Sequence, residues 1–141
     1  MAGLTAVHNE AKRRLEAVFT TPDAVQFGPA VNLPTSGGQV VQCVVLWPTA
    51  GTETTRSNMV AHRRDDSFRA VFVGATVLDC LAAVDKGRRA LQGAHLTASG
   101  RGGGPIGEGG FVGADPIPEP GTDPVRVSLS VQFDLISKEP R

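Results

Sequence analysis

The sequence predicts an α+β fold: a mostly antiparallel β-sheet flanked by two α-helices, with a long β-hairpin and a Gly/Pro-rich loop projecting from it. Three observations carry this reading. Two segments, 4–19 and 76–93, place apolar side chains at spacings of three and four. Two others, 39–47 and 67–73, are short runs rich in Val and Phe. Last, Val125 to Leu135 alternates apolar and polar residues without a break. Helices and strands do not alternate regularly, which favours helices laid on an antiparallel sheet over a parallel α/β arrangement. A chain of 141 residues is expected to form one domain, 1–141.

In the first helix the apolar stripe is Leu4, Val7, Ala11, Leu15, Val18 and Phe19, and Pro22 ends it. Residues 21–38 are a connector punctuated by Pro and Gly, anchored by Val25, Phe27, Val31 and Leu33, with room for a short edge strand. Gln39 to Trp47 is apolar on both faces, so helices or another subunit must cover both. Residues 48–66 are polar and Thr-rich. They form the tip of a hairpin that returns as a strand from Ser67 to Val73.

The second helix is the best marked. Thr76 is its N-cap, with Asp79 three residues on, and Gly93 is its stop signal. Val77, Cys80, Leu81, Val84 and Leu91 make the expected buried face, with Lys86, Arg88 and Arg89 in the last turns. Gly87 inside this helix marks close packing against a neighbour. A short strand is expected over 94–99. Residues 100–124 are then irregular and dense in Gly and Pro, with Phe111, Val112 and Ile117 among their large apolar residues.

The chemistry in the sequence is sparse. Gly102, Gly104 and Gly107 satisfy the spacing of a dinucleotide-binding turn. Such a turn needs a helix immediately after it, to hold the pyrophosphate at its N-terminus. Pro105 and the glycines up to Gly110 forbid one here. A single Arg-Gly-Gly at 101–103 is too little for an RNA-binding segment that works by repetition. His8, His62 and His95 have no ligand-spaced partners, and no nucleophile elbow is present. Cys43 and Cys80 read as buried, reduced thiols. No cofactor, metal or enzymatic activity is expected.

Charge narrows the partners. Fourteen basic and fourteen acidic residues cancel, which argues against gripping nucleic acid through its phosphates. No apolar run is long enough to span a bilayer, and the first residues lack a secretory pattern, so folding in a cytoplasm is expected. Arginine is enriched in protein interfaces. The candidate assembly-interface residues are therefore Arg56, Arg63, Arg64, Arg88, Arg89 and Arg101. The competing reading of the pairs Arg63-Arg64 and Arg88-Arg89 is a solvated face balanced by nearby acids.

The run from Arg64 through Gly74 to Gly93, ending Arg88-x-x-Leu91-x-Gly93, resembles the tail terminator (tail completion) proteins of long-tailed bacteriophages. The likeness extends to helix 4–19, strand 41–48, and the last strand, 125–136. The resemblance implies a structural virion protein: a homohexameric ring on the head-proximal end of the tail tube. Such a ring stops tube polymerisation and joins the tail to the head–tail connector, with genomic DNA passing through its lumen unbound. Its implied partners are further copies of itself, the tail tube protein and neck proteins; its place is the neck-proximal tail of the virion, after assembly in the host cytoplasm. In this reading segments 48–66 and 100–124 are arms laid on neighbours, and deleting 100–110 leaves a folded monomer unable to form rings. Other readings are a different neck or head-closure protein, an adaptor, or a small nucleotide- or metabolite-binding protein using the Gly-rich loop.

Overall fold

The structure, a computed structural model, describes residues 4–29, 33–49, 52–54, 63–93, 102–103, 106–109, 116–119 and 126–138. It opens with helix α1, Leu4–Glu16. Strand β1, Val25–Phe27, and the small hairpin β2, Thr35–Ser36, and β3, Gln39–Val40, follow. The main sheet then begins with β4, Cys43–Pro48, β5, Thr52–Thr54, and β6, Arg63–Gly74. Helix α2 spans Val77–Leu91. Short strands β7, Gly102–Gly103, β8, Gly107–Gly109, and β9, Ile117–Pro118, precede the long β10, Val127–Lys138. The expected α+β architecture is what forms. The short strand expected over 94–99 lies outside the described residues, as do Val31, Phe111 and Val112.

The sheet order is β1-β4-β6-β10-β7, with β5 also on β6, and β8 and β9 also on β10. All pairings are antiparallel except β1 on β4, an edge strand formed within the connector. Opposite residues in the register share a face, so one side of the sheet carries Val44, Leu46, Phe68, Ala70, Phe72, Leu129, Val131, Phe133 and Leu135. All of these are buried under the helices. Alternation in β10 sends Ser130 and Gln132 to the other, exposed side.

Cys43, Val44, Val45 and Leu46 are all buried, so β4 is covered on both faces as its composition requires. The strand expected from Gln39 is broken, however. Val41 donates its N–H to the Pro34 carbonyl at 3.0 Å, and Gln39–Val40 pair back on Thr35–Ser36. A local turn with positive φ at Gly37 and Gly38 thus captures two residues whose β propensity alone would extend β4.

On α1 the buried line is Val7, Ala11 and Leu15, continued by Phe19 in the turn beyond. Val18 is 37% exposed, because the chain leaves helical phase after Glu16. Thr76 caps α2 as expected, accepting the Asp79 N–H at 3.2 Å. The buried line of α2 differs from the apolar pattern: it is Cys80, Ala83, Val84, Gly87 and Leu91, while Val77 and Leu81 face outward. Two close approaches set this phase. A Cβ on Gly87 would stand 2.2 Å from the Phe72 ring, and one on Gly74 would stand 2.5 Å from the Cys80 backbone nitrogen. The expectation of close packing at Gly87 holds; its consequence is that small residues, not the largest apolar ones, define the inner face.

The hairpin also differs from its expected outline. β6 begins at Arg63, not Ser67, and pairs with β5 before it pairs with β4. The β4 pairing on β6 ends at Pro48 opposite Phe68, and the β5 pairing begins at Thr52 opposite Asp65. Between them Thr49 donates its hydroxyl to the Ser67 carbonyl at 2.6 Å. The Thr49 carbonyl in turn accepts from His8 Nε2 of α1 at 3.1 Å. His8 is itself buried, edge-on to Phe68 with ring centroids 6.0 Å apart.

The Gly/Pro-rich segment does not project at its described residues. β7, β8 and β9 run antiparallel along β10, opposite Lys138–Ser137, Asp134–Gln132 and Ser128–Val127. They amount to one interrupted edge strand. Ile106 is 2% exposed, and its carbonyl accepts the Gly93 N–H at the end of α2. Deleting 100–110 would therefore strip β10 of its partners β7 and β8 and remove a core side chain, so that deletion cannot isolate an assembly role.

Cys43 and Cys80 are free and buried, as expected. Burial pushes the Cys43 thiol up to about 12, against a smaller lowering by Arg126 and a raising by Glu119. Burial alone pushes Cys80 up to about 11. Folding thus holds both protons more tightly than the unfolded chain, whose thiols ionise near 9.0. Their contribution to stability is complete below pH 9 and is lost as pH rises toward 11 and 12. Urea midpoints should fall above pH 9. In the Cys43→Ala, Cys80→Ala double variant that alkaline fall should shrink. A thiol reagent at pH 8 should label neither residue until denaturant is added.

Candidate assembly surface

The six candidate arginines do not converge. Arg88 and Arg89 lie exposed on the last turns of α2, where Arg89 pairs with Asp85 at 3.0 Å. That pair is solvent-screened and adds a few tenths of a kcal/mol to the helix. Arg63 and Arg64 start β6, opposite Thr54 and Glu53 on one side and Lys138 and Ser137 on the other. They stand at the hairpin end of the sheet, whereas α2 follows directly from its other end at Gly74. Arg56 and Arg101 lie outside the described residues.

What sequence reasoning passed over is apolar. Val77 is 46% exposed, Leu78 76% and Leu81 43%, three neighbours on one flank of α2. The opposite flank faces α1, where Lys86 Nζ lies 5.7 Å from the Phe19 ring and donates to Gln42 Oε1 at 2.7 Å. On the sheet face away from the helices, Trp47 is 37% exposed beneath the Arg69 guanidinium, 5.8 Å from its ring. The available signal was Leu78, one residue on from Val77 and so off the stripe that Val77, Cys80, Leu81, Val84 and Leu91 share. Contiguous exposed apolar side chains mark contact surfaces more often than isolated ones do.

Sites for small ligands are weaker. A cleft of about 320 Å³ opens between the end of α1 and α2, lined by Val18, Phe19, Thr21, Val41, Asp79 and Lys86. Lys86 and Gln42 satisfy each other across it, and the Gln42 amide donates to the Asp79 carbonyl at 3.1 Å. Among the described residues, no three His, Cys, Asp or Glu side chains are grouped to hold a metal ion. Gly102 and Gly107 belong to strands paired with β10, an arrangement unlike a phosphate-cradling turn leading into a helix. Among the described residues no helix is long and apolar enough to cross a membrane.

The two-layer body and its edge strands have a counterpart among solved structures. The fold is similar to that of a chain in the virion of a native gene transfer agent particle. The two chains share 20% sequence identity over 97% of this chain and 96% of that one, with a TM-score of 0.64. The likeness therefore covers both helices, the hairpin and the Gly-rich edge, not a shared subset of strands. No family model and no curated protein sequence matches the chain.

Proposed function

We propose that this chain, as a single tail-terminator-like α+β domain, is a structural virion protein of a tailed phage or phage-like particle. Within that class we propose the tail terminator role. Copies form a hexameric ring that caps the head-proximal end of the tail tube, stops its growth and joins it to the neck. The observation that carries the reading is a fold likeness to a virion chain spanning nearly the whole of both proteins. Two further features support it. Exposed apolar residues lie on both layers, as a ring-forming subunit with two different contact surfaces requires. Formal charge is zero, which suits a lumen through which DNA slides without being held.

Native mass spectrometry and negative-stain images of the purified chain, alone and with the tail tube protein, test this. A closed ring that arrests tube growth at a defined length is the expected result. Rings that bind only the connector and leave tube growth untouched would reassign the chain to neck closure. A chain that never associates, yet melts higher with one member of a nucleotide panel, would favour the ligand-binding reading.

A further inference from the structure

We propose that the hairpin tip of one copy, residues 55–62, docks on the exposed start of α2 in a second copy, with Met59 and Val60 against Val77, Leu78 and Leu81. The contact rests on the ring reading and names the two surfaces that would build the ring. Three observations select this occupant.

The first is the chemistry of the acceptor. Val77, Leu78 and Leu81 are exposed neighbours on the opening turns of α2, and Asp79 and Asp85 are exposed beside them. From Ala75 to Asp85 the chain carries these two acids and no base. Lys86, which comes next, turns to the α1 flank, over the Phe19 ring and onto Gln42 Oε1. Asp85 pairs with Arg89 one turn on, an exposed pair that solvent screens and a second cation can share. The acceptor is therefore an apolar patch with an acidic border.

The second is the chemistry of the tip, Thr-Arg-Ser-Asn-Met-Val-Ala-His over 55–62. Met59, Val60 and Ala61 are bracketed by Arg56 on one side and by His62, Arg63 and Arg64 on the other. No acid occurs from Thr55 to Arg64. An apolar centre with a basic border is the counterpart of the acceptor in both respects, and the unbranched Met side chain adapts to the surface it meets.

The third is reach. Thr54 and Arg63 are register partners, so residues 55–62 leave the sheet and return to it at one point. A chain of that length, doubled back, extends about 15 Å from its root. From Arg63 the twelve residues of β6 run about 37 Å to Gly74, where α2 follows. The step from Val77 to Leu81 along the helix regains only about 6 Å of that distance. A tip rooted at Arg63 therefore cannot seat on the α2 start of its own chain, whereas a second copy can bring its α2 to it. Donor and acceptor are different surfaces at opposite ends of β6, so the contact is head to tail and repeats into a ring or a filament.

Engineered cysteines read this contact, because Cys43 and Cys80 are buried. Full chains carrying Met59→Cys are mixed with full chains carrying Leu78→Cys and oxidised mildly. A disulfide-linked dimer of one chain of each kind should form at least about tenfold faster than either homodimer, as docking raises the effective concentration of the two thiols. A mixed dimer no faster than the homodimers, or an internally bridged monomer from the Met59→Cys, Leu78→Cys double variant, overturns the contact. Without cross-linking, Leu78→Glu and Met59→Glu should each weaken self-association by more than about tenfold in sedimentation and native mass. Residue 78 is exposed, so Leu78→Glu should melt close to the unaltered chain, which separates lost contact from lost fold. Rings that persist in both glutamate variants overturn the docking contact and leave the terminator reading standing. Open oligomers that cross-link as expected but never close keep the contact and remove the terminator reading. A chain that stays monomeric at every concentration, with or without the tube protein, overturns both.

Discussion

Replacing Phe68 with alanine should lower the stability of the fold by about 3–5 kcal/mol, the usual cost of emptying a fully buried aromatic site. Phe68 is 1% exposed and stacks on Phe133, with ring centroids 5.6 Å apart, while His8 of α1 meets its edge. It therefore holds three elements at once: α1, β6 and β10. It also lies one residue past Ser67, whose carbonyl accepts the Thr49 hydroxyl. Natural domains are stable by about 5–15 kcal/mol, so this one substitution removes a large share. A drop in urea midpoint with an unchanged slope is expected, together with weakened protection of the β5–β6 amides against hydrogen exchange. A loss under about 1 kcal/mol would mean that the aromatic stack is not what anchors the hairpin.

The second large effect is expected where nothing can be added. Gly87→Ala should gain about 1 kcal/mol of helix propensity if the site were open. Here the new methyl meets the Phe72 ring, which is fully buried and lies against Phe19, so overpacking of about 1–3 kcal/mol opposes and outweighs the gain. Gly74→Ala should cost more than Gly87→Ala, because its methyl meets the main chain of Asp79 and Cys80 at the start of α2, which no rotamer change can move. Thermal melts should rank the unaltered chain first, Gly87→Ala second and Gly74→Ala last. Phe72→Leu should partly relieve Gly87→Ala while harming the unaltered chain, a coupling that a double-mutant cycle reads directly. A higher melting temperature for Gly87→Ala would show that the ring yields freely.

The parts of this fold that were legible in the sequence are those where one local signal had no competitor. β10 alternates from Val127 to Leu135 with no polar residue on its inner side, so strand, face and partner layer were all readable. Thr76 and Asp79 marked the start of α2 through a side-chain contact that depends only on local spacing. The errors have a common cause. The inner face of α2 is fixed by how near the helix can come to Phe72, and closeness is a property of small residues such as Ala83 and Gly87, which carry little hydropathy. The Gly-rich strands were invisible for a related reason. Glycine has no side chain to alternate, so β7 and β8 exist only because β10 offers a ladder to pair with. Ile106 was the one side chain there that could have signalled burial, two residues past the last of three consecutive glycines. For the assembly surface, arginine composition pointed to α2 through Arg88 and Arg89 but missed the apolar flank beside them, which became visible only once the helix phase was known.

The pairing of β6 with β10 has a mechanical meaning. Twelve consecutive residues of each strand face one another without a bulge, from Val127 opposite Gly74 to Lys138 opposite Arg63. A pull directed along these strands, in opposite senses at their two ends, loads the whole ladder at the same moment. No hydrogen bond in it can fail before its neighbours are strained. A pull across the strands at one end would instead open the ladder pair by pair, at far lower force. The subunit is therefore stiff in one direction and peelable in another. A body built this way bears tension best when its long strands lie parallel to the load.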